Sequence, residues 1–143
     1  MGDYKILMVD DESDFLDTIV KRLQKRQLNV RGVYSGQEAL GLVTEKKYDV
    51  VVLDVRMPGI DGIQTLKRIK QINPLLEVIM LTAHADMELA LNGMNLGAFD
   101  YLMKPVDIDE LVYKIQDACK KKAIQEEKQA RLAQAIERRE SSV

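Results

Sequence analysis

Apolar residues fall into five short blocks at regular intervals: 5–9 (KILMV), 29–33 (NVRGV), 50–53 (VVVL), 78–81 (VIML) and 99–103 (FDYLM). Three of them are continuous rather than alternating, the pattern of strands covered on both faces in a parallel sheet. Between the blocks, apolar residues recur three and four apart, as on one face of a helix. The stripes are Phe15, Leu16, Ile19, Val20 and Leu23; Ala39, Leu40 and Val43; Ile63, Leu66, Ile69 and Ile72; Met87, Ala90, Leu91 and Met94; and Ile108, Leu111, Val112, Ile115 and Cys119. Ser35 with Glu38 and Asp107 with Glu110 have capping-box spacing, and Gly97 is placed to stop the fourth helix.

A strand followed by a helix, five times over, predicts parallel strands joined by right-handed crossovers. The length suits one five-stranded sheet with helices on both faces and strand order 2-1-3-4-5, its switch point lying between the first and third strands. The expected boundaries are a folded unit at 1–122 and a charged, helical extension at 123–143. The last stripe would continue at Lys122, Ala123 and Glu126, so its seam against the sheet is expected to end near Cys119. Beyond it, Ile124, Leu132 and Ile136 hold no steady heptad. Glu126 with Lys122 and Glu127 with Arg131 have the spacing of i,i+4 ion pairs on an exposed helix. At most a weak homodimer contact is expected there.

Composition narrows the function. The 143 residues carry a net charge of −2, without the basic excess of a dedicated nucleic-acid binder, so no direct nucleic-acid role is expected. The lysine run 120–122 reads as a solvated helix end. One cysteine, Cys119, and one histidine, His84, exclude an intrachain disulfide and a His- or Cys-based metal cage. Cys119 reads as a packed helix residue and His84 as exposed. No apolar run approaches a membrane span and the first residues do not read as a signal peptide, so the expected location is the cytoplasm.

Ligands of open parallel sheets bind beyond the carboxyl ends of the strands, at the switch point. The first strand ends in Asp10, Asp11 and Glu12, the third in Asp54, the fourth in Thr82, and the fifth in Lys104 and Pro105. Ionised carboxylates brought this close repel one another unless one takes up a proton or a cation neutralises them. An all-oxygen donor set suits Mg²⁺, which keeps part of its octahedron for water and substrate phosphate. Lys104 and Thr82 would face the same edge as donors to a phosphoryl group, and a carboxylate can serve as the nucleophile that captures one.

Asp10-Asp11, Asp54 followed by Met57-Pro58-Gly59, Thr82-Ala83 and Lys104-Pro105, in this order and strand context, resemble the receiver domain of bacterial two-component response regulators. The resemblance spans residues 4 to about 119. It implies a flavodoxin-like fold, with Asp54 as phosphoacceptor loaded from the phosphohistidine of a sensor histidine kinase or phosphotransfer protein. It implies Mg²⁺, with Mn²⁺ able to substitute, held by Asp11, Asp54 and the backbone carbonyl of Arg56, with Asp10 acting largely through water. Lys104 would pair with the phosphoryl group, Thr82 would move to hydrogen-bond it, and Tyr101 would swing inward behind it. The output face to an unnamed effector would run from the fourth helix through the fifth strand to the last helix. Arg56 and His84 stand where the family tunes phosphoryl lifetime, and the Lys104–Pro105 bond is expected to be cis.

Other readings of the fold fare worse. A phosphohydrolase of the haloacid dehalogenase kind would need an acid where Arg56 stands. A flavin carrier would need a phosphate loop free of Asp10, Asp11, Glu12 and Asp14. A receiver-like scaffold without phosphorylation has no use for the intact acid set.

Overall fold

The computed structural model describes residues 4–141. Strands β1 (Lys5–Val9), β2 (Asn29–Val33), β3 (Val50–Asp54), β4 (Glu77–Thr82) and β5 (Asp100–Met103) alternate with helices α1 (Ser13–Lys25), α2 (Gly36–Glu45), α3 (Gly62–Ile72), α4 (Met87–Asn95) and α5 (Ile108–Ser141). A single 3-10 turn, His84–Asp86, precedes α4. The strands form one parallel sheet in the order β2-β1-β3-β4-β5, as the alternation predicts.

The continuous apolar strands serve two cores. Leu7, Val9, Val51, Leu53, Val78 and Met80 face α2, α3 and α4, packing with Ala39, Leu66, Ile69 and Ala90. Ile6, Met8, Val50, Val52, Ile79 and Leu81 face α1 and α5, packing with Leu16, Leu23, Leu111 and Ile115. Side chains alternate across a strand, so a strand apolar at every position fills both layers.

Local signals hold at the helix ends. The Glu38 N–H donates to Ser35 Oγ, and the Glu110 N–H to Asp107 Oδ1. Gly97, at φ 104°, ends α4 in the left-handed region, with the Ala98 N–H returning to the Gly93 carbonyl. Two stripes need correction: Ile72 and Leu91 are exposed, and α4 buries Ala90 and Gly93 instead. Gly93 leaves room for Ile63, Leu66 and Met80, so α4 sits down on its smallest residues rather than on Leu91.

The seam of α5 also runs one turn further than Cys119. Lys122 is only 5% exposed. Its stem lies along the apolar surface while Nζ meets Asp49 (3.0 Å) and Glu126 (3.1 Å). Next to it, Lys121 Nζ reaches the buried Glu77 (3.3 Å) and lies over the Phe99 ring. Thus two acids at the amino ends of β3 and β4 hold the last docked turn of α5. Beyond residue 126 the helix is exposed on every side, and Glu127 pairs with Arg131 as its spacing predicts. Cys119 is buried in the seam, and its thiol is pushed up to about 12, first by burial and then by the charge of Asp49. A thiol held that far from ionisation is a packing residue.

Candidate functional site

Each site residue stands at the carboxyl end of a strand whose interior is apolar, so the sheet fixes where its Cα sits. Asp10 follows β1, its N–H donating to the Val33 carbonyl (3.2 Å). Asp54 closes β3, Thr82 closes β4, and Lys104 follows β5, with its N–H on the Thr82 carbonyl (2.9 Å). The Lys104–Pro105 bond is cis.

Lys104 is the hub. Its Nζ lies 3.1 Å from Asp10 Oδ2, 3.2 Å from Asp54 Oδ2 and 3.5 Å from Glu12 Oε1, and 4.5 Å from the centre of the Phe15 ring. Burial works against the ammonium charge, but Asp54 and Asp10 outweigh it, so the lysine is held above its ordinary value. Asp54 is pushed up to about 6, first by burial and then by repulsion from Asp10. The Arg56 N–H, which donates to Asp54 Oδ1 (3.2 Å), and Lys104 pull the other way. Asp10 is fully buried and Asp54 is 6% exposed, so this is charge concentrated where water screens it poorly.

Asp10, Glu12 and Asp54 bring carboxylate oxygens within 4.8 Å of one another, an all-oxygen group of the kind at which receiver domains take Mg²⁺. Three carboxylates against one ammonium leave a net negative site that a divalent cation would neutralise. Among the described residues the group includes Glu12, which like Asp11 is exposed, and does not include Asp11. Glu12 meets Lys104 Nζ at 3.5 Å. Asp11 lies at a bend between the end of β1 at Val9 and the start of α1 at Ser13. The sequence offers Glu12 as a strand-end acid beside Asp10 and Asp11.

The other expected residues lie around this centre without entering it. Thr82 is buried, and its hydroxyl donates to the Ala83 carbonyl (2.9 Å). Tyr101 is half-buried against the core on the α4 side. The Arg56 side chain turns away to Asp86, and His84 is exposed. A small cleft of about 150 Å³, lined by Glu12, Asp54, Arg56, Ala83, Asp86 and Lys104, opens the centre to solvent.

Comparison with known proteins agrees with this geometry. The response regulator receiver domain family matches residues 6–116. The DNA-binding transcriptional regulator NtrC of Klebsiella pneumoniae is 46% identical over 105 residues, 73% of this chain and 22% of that protein. The transcriptional regulatory protein ZraR of Salmonella typhimurium is 41% identical over 117 residues, 82% of this chain and 26% of that protein. The chain thus spans about a quarter of the length of these curated relatives. Among solved structures, a response regulator receiver domain protein from Clostridium thermocellum superposes with a TM-score of 0.82 at 39% identity, covering 85% of this chain and 98% of that one. A structure described as adenylate cyclase from Rhodopirellula baltica superposes with a TM-score of 0.85 at 30% identity, covering 90% and 96%. An acidic centre at the switch point, a lysine bridging it and a family match over the whole folded sheet together make this chain a member of the response regulator receiver domain family, the phosphorylation-controlled switches of two-component signalling.

Proposed function

We propose that Asp54 is the phosphoacceptor and that the chain signals through the acyl phosphate formed there. The observation that carries this is the placement of Asp54 at the end of a buried strand, 3.2 Å from Lys104 Nζ and crowded by Asp10. An Asp54 oxygen attacks the phosphorus of a phosphohistidine on a sensor histidine kinase or phosphotransfer protein. The P–N bond breaks, the imidazole leaves with its electron pair and takes up a proton, and an acyl phosphate remains. Lys104 is placed to shift from the Asp54 carboxylate to the phosphoryl oxygens, which supplies charge stabilisation without moving its backbone. Hydrolysis to Asp54 and inorganic phosphate resets the switch, so the chain catalyses its own loading and unloading rather than turnover of free substrates.

Mg²⁺, or Mn²⁺ in its place, would supply further charge neutralisation between the carboxylates and the transferred group. Asp11, Asp54 and the Arg56 carbonyl are the direct ligands we propose, with Asp10 through water. Glu12, already beside Asp10 and Asp54, is a further oxygen donor at the same edge. Thr82 and Tyr101 are the switch pair: the Thr82 hydroxyl exchanges the Ala83 carbonyl for a phosphoryl oxygen, and Tyr101 moves inward behind it. The surface formed by α4, β5 and α5 then carries the signal to an effector. The relatives bear different names, two transcriptional regulators and one cyclase, which supports leaving the effector of this chain unnamed. The location we propose is the cytoplasm, that of response regulators in general; no helix among the described residues is long and apolar enough to cross a membrane.

Incubation with a small acyl phosphate and Mg²⁺ is expected to add one hydroxylamine-labile phosphoryl group per chain, and Asp54→Asn is expected to abolish it. Equal labelling of the Asn variant in intact-mass measurements would refute the assignment.

We also propose that 1–122 forms the receiver unit and 123–143 an extension, helical as far as Ser141, the ends 1–3 and 142–143 of these bounds lying outside the described residues. Cutting after Lys122 keeps the Asp49 contact and removes the Glu126 ion pair, the half-buried Ala123 and Gln125, and otherwise exposed turns. Stability in urea is therefore expected to change by less than ~1 kcal/mol, as for other exposed changes. A larger loss, or a tight dimer in light scattering that vanishes on truncation, would make the extension an assembly element.

A further inference from the structure

We propose that Arg56 is a phosphoryl sensor for α4: Asp86 holds its guanidinium until a phosphoryl group on Asp54 competes for it, and the carboxylate thus released caps α4. This rests on the reading of Asp54 as phosphoacceptor and adds to it a route by which occupancy reaches the helix.

Arg56 stands two residues beyond Asp54, on the loop that leaves β3. Its Nε and one terminal nitrogen both donate to Asp86 Oδ1, at 3.0 and 2.8 Å. Asp86 lies on the loop that leaves β4, so the pair ties together two lips of the cleft that opens onto Asp54. The Arg56 side chain is 69% exposed and that of Asp86 15% exposed, so the guanidinium has open space into which it can leave the pair. Asp54 already acts on the guanidinium through its charge, though less than Asp86 does.

Asp86 is also the residue before the first turn of α4, and there it leaves its usual work undone. The equivalent residues of α2 and α3, Ser35 and Asp61, each accept an N–H from the first helical turn, and their backbones are extended, at ψ 159° and 173°. Asp86 makes no such bond and sits at ψ 18°, inside the 3-10 turn His84–Asp86. Its carboxylate has two uses, the Arg56 pair or the cap, and it now serves the first. Aspartate is among the strongest capping residues, so the alternative is close in free energy.

A phosphoryl group decides between them. It carries roughly −1.5 to −2 charge and three acceptor oxygens, and it matches the planar guanidinium fork better than one carboxylate oxygen does. Once Arg56 turns to it, Asp86 is free to rotate to the extended backbone of Ser35 and Asp61, unwind the 3-10 turn, and accept from the N–H of Glu88 or Leu89. The two arrangements exclude one another through the backbone, because Asp86 holds Arg56 at ψ 18° inside the 3-10 turn whereas the caps of α2 and α3 are extended, and this makes the loop bistable.

The test is amide hydrogen exchange at Glu88 and Leu89 in the full chain, with phosphoryl occupancy after acyl phosphate and Mg²⁺ read by intact mass. Phosphorylation of the wild type is expected to slow exchange there about fivefold to tenfold, the range a helix cap confers. Asp86→Ala is expected to be phosphorylated without this slowing. Asp86→Asn, which caps but does not hold Arg56 as an ion pair, and Arg56→Met, which frees Asp86, are expected to slow exchange before any phosphorylation. A merely structural ion pair predicts the opposite, faster exchange when either partner is lost. Unchanged or faster exchange in those two variants, or unchanged exchange in fully phosphorylated wild type, overturns the sensor and leaves the phosphoacceptor standing. Failure of the wild type to take up a phosphoryl group overturns both.

Discussion

Gly62→Ala is expected to destabilise the fold by about 3 kcal/mol or more, the upper end of overpacking costs, because what it strikes cannot move aside. A Cβ built there lies 2.2 Å from the Asp54 carbonyl oxygen and 2.6 Å from Val55 Cα. These are backbone atoms of the strand end that carries the phosphoacceptor, and the Val55 N–H is itself tied to β4 through the Leu81 carbonyl (3.0 Å). Gly62 opens α3 and its N–H returns to the Val55 carbonyl (3.1 Å), so the helix start is strapped against β3 with no space for a side chain. Relief of the clash pushes either α3 off the sheet or Asp54 out of reach of Lys104. Urea denaturation is the measurement, with Gly41→Ala as the control. Gly41 lies in α2 with nothing within 4 Å of its Cβ position, and alanine there is expected to be neutral or to stabilise by up to about 1 kcal/mol. A Gly62→Ala chain as stable as the wild type would mean that the strap is loose and that the position of Asp54 is set by the sheet alone.

The sheet and its order were legible because both follow from local pattern: two-faced apolar strands, helical stripes between them, and Ser35, Asp107 and Gly97 at the helix ends. The acidic centre was legible for the related reason that strand ends in a parallel sheet converge. Pairings across the sheet edges were not. Lys121 and Lys122 look like a solvated run in sequence, yet they meet Glu77 and Asp49, which are 44 and 73 residues away, because the sheet's amino edge brings those acids under α5. Glu12 with Lys104 and Arg56 with Asp86 share that character. Each is decided by which way a long side chain turns once its partner is in place, and local pattern sets the Cα positions without the turn. Likewise Leu91 belongs to a correct helical period but lies on the wrong side of it, since α4 packs on Gly93, which a search for apolar residues passes over.

In a chelating buffer, Asp54→Asn is expected to be more stable than the wild type by about 2 kcal/mol at pH 8, and the gain should vanish near pH 4. The folded chain holds the Asp54 proton to about pH 6, whereas an unperturbed aspartate loses its proton near 3.8. Between those values the folded state binds more protons than the unfolded one, so stability falls as pH rises through the window and stays lowered above it. Each pH unit between the two corresponds to about 1.4 kcal/mol, and the whole interval sets an upper bound. Asparagine keeps the shape and an acceptor for the Arg56 N–H but forfeits the charge that Lys104 pairs with, which brings the net gain below that bound. Lys104 does not confuse the window. It is held above its ordinary value, so its contribution is present throughout and is lost only at strongly alkaline pH. The measurement is urea denaturation of both chains from pH 4 to pH 8. Mg²⁺ should stabilise the wild type and close the gap at pH 8, because a cation among the carboxylates offsets the repulsion that lifts Asp54. An Asn chain no more stable than the wild type at pH 8, or a gap that widens toward pH 4, would mean that Lys104 already neutralises the centre. The strain assigned to Asp54, and the drive it gives toward metal and phosphoryl binding, would then have to be given up.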